Sequence, residues 1–338
     1  SSAIKLHAQL PPEEQRMADS LNNIIRNPQS HDTALANAYI ALAKVFYLKF
    51  DTVNYLCKKS LEISEKNLSE EPSLPLRKSF LRSKAESLYA LGYFYKEKGN
   101  LPAALDFYNS SIAIKENLGD KKGLAFILVN IGNIYADQGK ISLSLDFSRR
   151  ALKIFEEIDD KNGIGRASND IGFTYKHQGD IGKALEYYNK SLKAAEELGS
   201  KKDIAISYNN IAIIYSSLGD VVKALEYLYK ALRLNEEVGN KKGVGLILMS
   251  IAAMHKHQGE MQTAFTSCIK ALKLFEEMEY RKGISRALSN LGVIRRMKGE
   301  ISEALGYGHK ALKVSEEIGD KLEMAIDCKE LGNTYGHL

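Results

Sequence analysis

His255 and His257 flank Lys256, and paired imidazoles could hold a metal ion. On a helix, however, residues two apart point about 200° from one another, so these two cannot share one ion. Cys57, Cys268 and Cys328 lie far apart and are odd in number, which excludes a disulfide framework and a cysteine-based zinc site. Paired carboxylates could divide the work of a general acid and a base. Here they recur at Glu156-Glu157, Glu196-Glu197, Glu236-Glu237, Glu276-Glu277 and Glu316-Glu317. An active site is not duplicated in this way, so these pairs read as solvated helix ends. Gly163-Ile-Gly165 lacks the third glycine of a nucleotide loop and sits between two helical stretches rather than after a strand. Neither a Gly-x4-Gly-Lys-Ser/Thr loop nor a His-Glu-x-x-His helix occurs. The expectation is a chain that is not an enzyme and uses no cofactor and no metal.

The 338 residues are 44% apolar and 26% charged, with a net charge of +5, a soluble composition too mildly basic for a nucleic-acid binder. There is no apolar run long enough to span a membrane. No nucleic-acid partner and no membrane contact by this region are expected.

What positions the side chains is a period. Gly99, Gly139, Gly179, Gly219, Gly259 and Gly299 are spaced 40 residues apart. Gly92, Gly132, Gly172, Ala212, Ala252, Gly292 and Gly332 keep the same interval, as do Ala104, Ser144, Ala184, Ala224, Ala264 and Ala304. Tyr95, Tyr135, Tyr175 and Tyr215 follow it too, until His255 and Arg295 break the series. Each unit reads as two amphipathic helices around a glycine turn, as in 164–178 and 181–198, with Gly179 as a left-handed C-cap and Asp180 as the next N-cap. Units fall near 34–66, 82–118, 122–158, 162–198, 202–238, 242–278 and 282–318, with a half unit at 322–338. Residues 13–31 read as an N-terminal capping helix, 1–12 as disordered, 32–338 as the array, and 67–78 as the site of an inserted loop. Cys57 and Cys268 share an interior phase with Tyr108, Tyr188 and Leu228 and read as small core hydrophobes.

Leu88, Leu91-Gly92, Tyr95, Ala104, Tyr108 and Ser111 resemble the tetratricopeptide repeat family, and Leu128, Ile131-Gly132, Tyr135, Ser144 and Ala151 repeat the pattern. The phrases Gly-Asp-Lys-Lys-Gly at 119–123 and Leu-Gly-Asn-Thr-Tyr at 331–335 are similar to its long forty-residue variety. That variety occurs in animal spindle-orientation scaffolds and in many bacterial signalling proteins. The resemblance implies an all-α, right-handed superhelical solenoid of antiparallel helix pairs, about seven and a half repeats, whose first helices line a concave groove. It places Asn130, Asn133, Arg166, Asn169, Asn209, Asn210, Arg286 and Asn290 in that groove, beside Asp170 and Ser289. Asparagine is a poor residue for helix interiors, so its repetition needs a reason. Two stand: gripping the backbone of an extended peptide, or bridging neighbouring repeats. Arg166 and Arg286 could bind carboxylates, and Lys96, Lys176, Lys256 and Arg296, if they reach the groove, would favour an acidic partner.

Residues 17–25 and 31–39 resemble the entry to the repeats of bacterial (Bacteroidetes-type) sensor histidine kinases and nucleotide cyclases. The chain ends on a first helix, leaving Leu331 and Tyr335 without the second helix that would cover them. Both features imply the sensory or interaction region of a longer signalling protein, extracytoplasmic or periplasmic in location. The rival is a free-standing cytoplasmic adaptor similar to the spindle-orientation scaffolds. End repeats could also pair two copies as a homodimer.

Overall fold

A computed structural model describes residues 11–46 and 50–337. Most of the segment read as disordered, 1–12, lies outside the described residues. The described residues form sixteen α-helices and no strand. Helix α1 (Pro12–Arg26) precedes the pairs α2 (Asp32–Val45) with α3 (Phe50–Ser69) and α4 (Leu74–Glu97) with α5 (Leu101–Leu118). Then come α6 (Lys121–Asp137), α7 (Ile141–Glu157), α8 (Lys161–Gln178), α9 (Ile181–Glu197), α10 (Lys201–Ser217) and α11 (Val221–Glu237). The last pairs are α12 (Lys241–His257) with α13 (Met261–Glu277) and α14 (Arg281–Met297) with α15 (Ile301–Ile318), followed by α16 (Lys321–Tyr335). The chain divides into two compact parts, Ser1–Gly163 and Ile164–Leu338.

Two differences from the sequence reading stand out. Helix α1 stops at Arg26, five residues short of the expected 13–31 segment, and Ser30 Oγ donates to Ile24 O at 2.7 Å across the turn. The inserted loop near 67–78 shrinks to residues 70–73, because α3 and α4 lengthen to 20 and 24 residues. Pro75 falls in the first turn of α4, where its missing N–H costs nothing.

The turns repeat one device. After α4, Asn100 N donates to Tyr95 O and Gly99 N to Lys96 O, both at 2.9 Å, the paired bonds of a Schellman cap. Such a turn needs one residue in the left-handed region. Within the six pairs from α4 with α5 to α14 with α15 a glycine supplies it, from Gly99 to Gly299. Between pairs the equivalent residues are Gly119, Gly199, Gly239 and Gly319, but also Asp159 and Glu279, at φ 52° and 51°.

Cores form where small residues let helices approach. A Cβ added to Gly92 would lie 2.6 Å from the Tyr108 ring, and one added to Gly172 would lie 2.9 Å from Tyr188. Where the second helix carries Leu228 or the fully buried Cys268, the first carries Ala212 or Ala252 instead. In the first part, α1 seats Leu21 and Ile25 on a core containing Leu42, Leu56, Cys57 and Leu91. A ring pair closes four of the turns: Tyr95–Phe107, Tyr135–Phe147, Tyr175–Tyr187 and Tyr215–Tyr227 stack with centroids 5.2, 5.5, 5.7 and 5.6 Å apart.

Candidate binding groove on the first helices

In the first part, Asn130 is not on open surface. It is 2% exposed, and its Nδ2 donates to Tyr89 Oη at 3.1 Å, tying α6 to the first helix of the preceding unit. Its role is the bridging one. Asn133, one turn later on α6, is half-buried.

In the second part, Arg166 is exposed on α8, while Asn169 and Asn210 are half-buried and meet. Asn210 Nδ2 donates to Asn169 Oδ1 at 2.6 Å, another bridge between successive first helices. Asn290 Nδ2 turns back on its own helix, donating to Arg286 O at 3.0 Å. Arg286 is already partnered: its Nε donates to Glu323 Oε1 at 2.7 Å. Glu323 is 2% exposed and also lies 3.4 Å from Lys282 Nζ. The hydrogen bond to Glu323 comes first among the influences that push the Arg286 guanidinium's pKa up, ahead of the opposing effect of burial. Its positive charge is therefore neutralised within the fold, which weakens the expectation of an acidic partner here. Arg296 is similarly held by Glu330 at 3.1 Å, and Lys176 Nζ sits 5.1 Å over the Phe173 ring.

What remains open is a groove of about 560 Å³ over α10, α12, α14 and α16, lined by Asn209, Leu246, Met249, Ala253, Arg286 and Ile326 among others. Three residues expected in the site, Asn209, Arg286 and Asn290, come together in it. Asn209 Oδ1 is buried and has no hydrogen-bond partner. A buried amide oxygen left unpaired costs free energy of about 1–3 kcal/mol, which an incoming N–H would relieve.

Sequence reading missed the apolar part of this face. Phe173, Ile206, Ile213, Leu246 and Ile326 keep 36% to 45% of their surface exposed, whereas Ile211 and Ile247 on the same helices keep 4% or less. The signal was present: Ile206, Leu246 and Ile326 share one phase of the repeat with Arg166 and Arg286. Large apolar residues at a phase that tolerates arginine serve something other than the core.

Among the described residues no three His, Cys, Asp or Glu side chains converge on a metal-sized site. No helix of the described residues is long and apolar enough to cross a membrane.

No curated protein sequence matches the chain. Solved structures share its fold. An aspartyl phosphate phosphatase F from Bacillus subtilis superposes with a TM-score of 0.59 at 12% identity, over 99% of this chain and 96% of its own. A Rap protein complexed with Competence and Sporulation Factor gives 0.55 at 16% identity, over 96% and 98%. A signal-transduction ATPase with a tetratricopeptide repeat sensor from Pyrococcus horikoshii gives 0.61 at 14% identity, over 98% of this chain and 54% of its own. At such identities the likeness is one of fold. The sequence pattern of the tetratricopeptide repeat matches 83–157, 163–237 and 243–317, about two-thirds of the residues, each stretch spanning two of the forty-residue units. With its tandem helix pairs and glycine turns, this all-α solenoid belongs to the tetratricopeptide repeat family.

Proposed function

We propose that this chain is a non-catalytic protein- or peptide-binding scaffold, the sensory or interaction region of a larger bacterial signal-transduction protein such as a sensor kinase or nucleotide cyclase. The observation that carries the binding role is the unpartnered Asn209 Oδ1 in a groove with Leu246, Met249 and Ala253. An extended peptide offers what that groove lacks: a backbone N–H for the amide oxygen and apolar side chains for the exposed Leu246 and Ile326. Within the same part, Arg166 stands on the corresponding face of α8 and extends the contact. Fold likeness to a Rap protein solved with a signalling factor, and to an ATPase with a repeat sensor, supports the signalling context. In this reading the region lies outside the inner membrane. As a free-standing adaptor it would act in the cytoplasm.

The test is selection of a random peptide library on the full chain, followed by affinity measurements on Asn209→Ala. Asn209 is the clean choice because Asn210 is committed to Asn169. Loss of one hydrogen bond should weaken the selected peptides by about five- to tenfold. Failure to enrich any peptide, or peptides indifferent to Asn209→Ala and Leu246→Asp, would refute the groove.

A further inference from the structure

The stacked ring pairs close the turns of four units, and the sixth unit departs from them in its own way. In five of the seven full units the second helix supplies an aromatic residue at one phase: Phe107, Phe147, Tyr187, Tyr227 and Tyr307. The first unit fills that position with the buried Leu56. In the sixth, α13 carries Ser267 there, and the facing residue on α12 is His255 in place of tyrosine. Both members of the stack have changed.

A slot opens where the ring would sit. It lies between α11 and α13, has a volume of about 380 Å³, and is lined by Tyr229, Leu232, Leu248, Ile251, Ser267 and Lys270 among others. The neighbouring fifth unit shows what belongs in it. There the Tyr227 ring lies 5.6 Å from Tyr215 and 5.7 Å from Tyr208, while Lys230 Nζ stands 5.1 Å above Tyr227. One period later these three neighbours are His255, Leu248 and Lys270. Leu248 and Lys270 both line the slot. Lys270 is exposed and makes no ion pair among the described residues, whereas Lys230 has Glu226 at 2.6 Å. Ser267 Oγ is satisfied by Thr263 O at 3.0 Å, and His255 lies 3.4 Å from Tyr229 Oη. His255 Nδ1 is also 2.8 Å from Glu260, close but poorly aligned for a hydrogen bond. Ser267 Oγ is therefore used within the fold, and what the slot lacks is an apolar disc under the Lys270 cation.

The geometry points to a second binding site, separate from the groove on the first helices: the slot between α11 and α13 receives a phenylalanine or tyrosine side chain of a partner protein. The ring replaces the one deleted from α13, packing on Leu248 and Ile251 with Lys270 over its face. An apolar floor of Leu232, Leu248 and Ile251 is a favourable place for such a ring.

The test uses N-acetyl-tyrosinamide as probe, titrated into the full chain with the leucine and isoleucine methyl groups observed by NMR. Saturable shifts confined to Leu232, Leu248 and Ile251 are expected, with N-acetyl-leucinamide giving none that saturate. Ser267→Tyr fills the slot from within and should weaken the probe at least about tenfold while raising the unfolding midpoint. Lys270→Gln, which leaves the packing intact, should weaken it about two- to fivefold and guards against a misfolded Ser267→Tyr. Asn209→Ala should leave the titration unchanged, so failure of the groove reading does not touch this one. Absent or unsaturable shifts, an equal response to the leucine amide, or a probe affinity untouched by both variants would overturn it.

Discussion

Glu279 occupies a left-handed turn that four equivalent positions give to glycine, and Glu279→Gly should stabilise the chain. At φ 51° its Cβ crowds the following carbonyl, a cost of about 1–2 kcal/mol for an L-residue. Glycine removes that cost but loosens the unfolded chain, returning about 0.4–1 kcal/mol. Glu279 is exposed and makes no ion pair among the described residues, so no side-chain contact offsets the difference. The net gain is about 0.5–1 kcal/mol. In urea, with a slope of about 3 kcal/mol/M, the midpoint followed by helical circular dichroism should rise by about 0.2–0.3 M. The reciprocal Gly239→Glu should lower it by a similar amount. If Glu279→Gly left the midpoint unmoved or lowered it while Gly239→Glu was harmless, the left-handed requirement of these turns would be wrong.

Other expectations follow from burial. Burial pushes the Cys57 and Cys268 thiols up to about 12, so a thiol reagent at neutral pH should titrate only Cys328 in the folded chain and all three in denaturant. Gly172→Ala drives a methyl to 2.9 Å from the Tyr188 ring and should cost about 1–3 kcal/mol in a urea melt, whereas Gly332→Ala, with open space around it, should cost far less. Asp327 is buried; burial raises its carboxyl, hydrogen bonds from Ser315, Ser285 and Ser289 offset this only partly, and Glu323 repels it. A folded pKa above the unfolded one means that ionised Asp327 destabilises the fold at neutral pH, and that the penalty fades as pH falls towards the ordinary carboxylate range. Asp327→Asn should therefore raise the urea midpoint at neutral pH, and its advantage should shrink by about pH 4.5.

Much of the fold was legible because the chain repeats itself. Gly99 to Gly299 mark the turns within the six pairs from α4 onward, and the small residues from Gly92 to Gly292 mark close helix contacts within them. The turns between pairs were harder to see, because Asp159 and Glu279 interrupt a series that is otherwise glycine. Residues 67–78 read as a loop because Pro72 and Pro75 look like breakers, yet a proline in a first turn starts a helix as readily as it ends one. The groove was only half legible. Repeated asparagines mark a face, but whether an amide is used by the fold depends on a partner about one period away, as Asn130 with Tyr89 and Asn169 with Asn210 show. Arg286 looked available for a ligand until Glu323, buried one repeat later, was placed beside it. The break at His255 was visible, but its meaning required Ser267, whose phase matters only once the rings are seen to stack.

The central claim is that the first helices of the second part bind an extended peptide through Asn209 and the apolar residues around it. Because the chain contains no tryptophan, a selected peptide carrying one reports binding by its own fluorescence. The direct measurement is that titration with the native chain, Asn209→Ala and Leu246→Asp. The account predicts saturable binding to the native chain, about five- to tenfold weaker with Asn209→Ala, and none measurable with Leu246→Asp. Equal binding by all three folded proteins would contradict it.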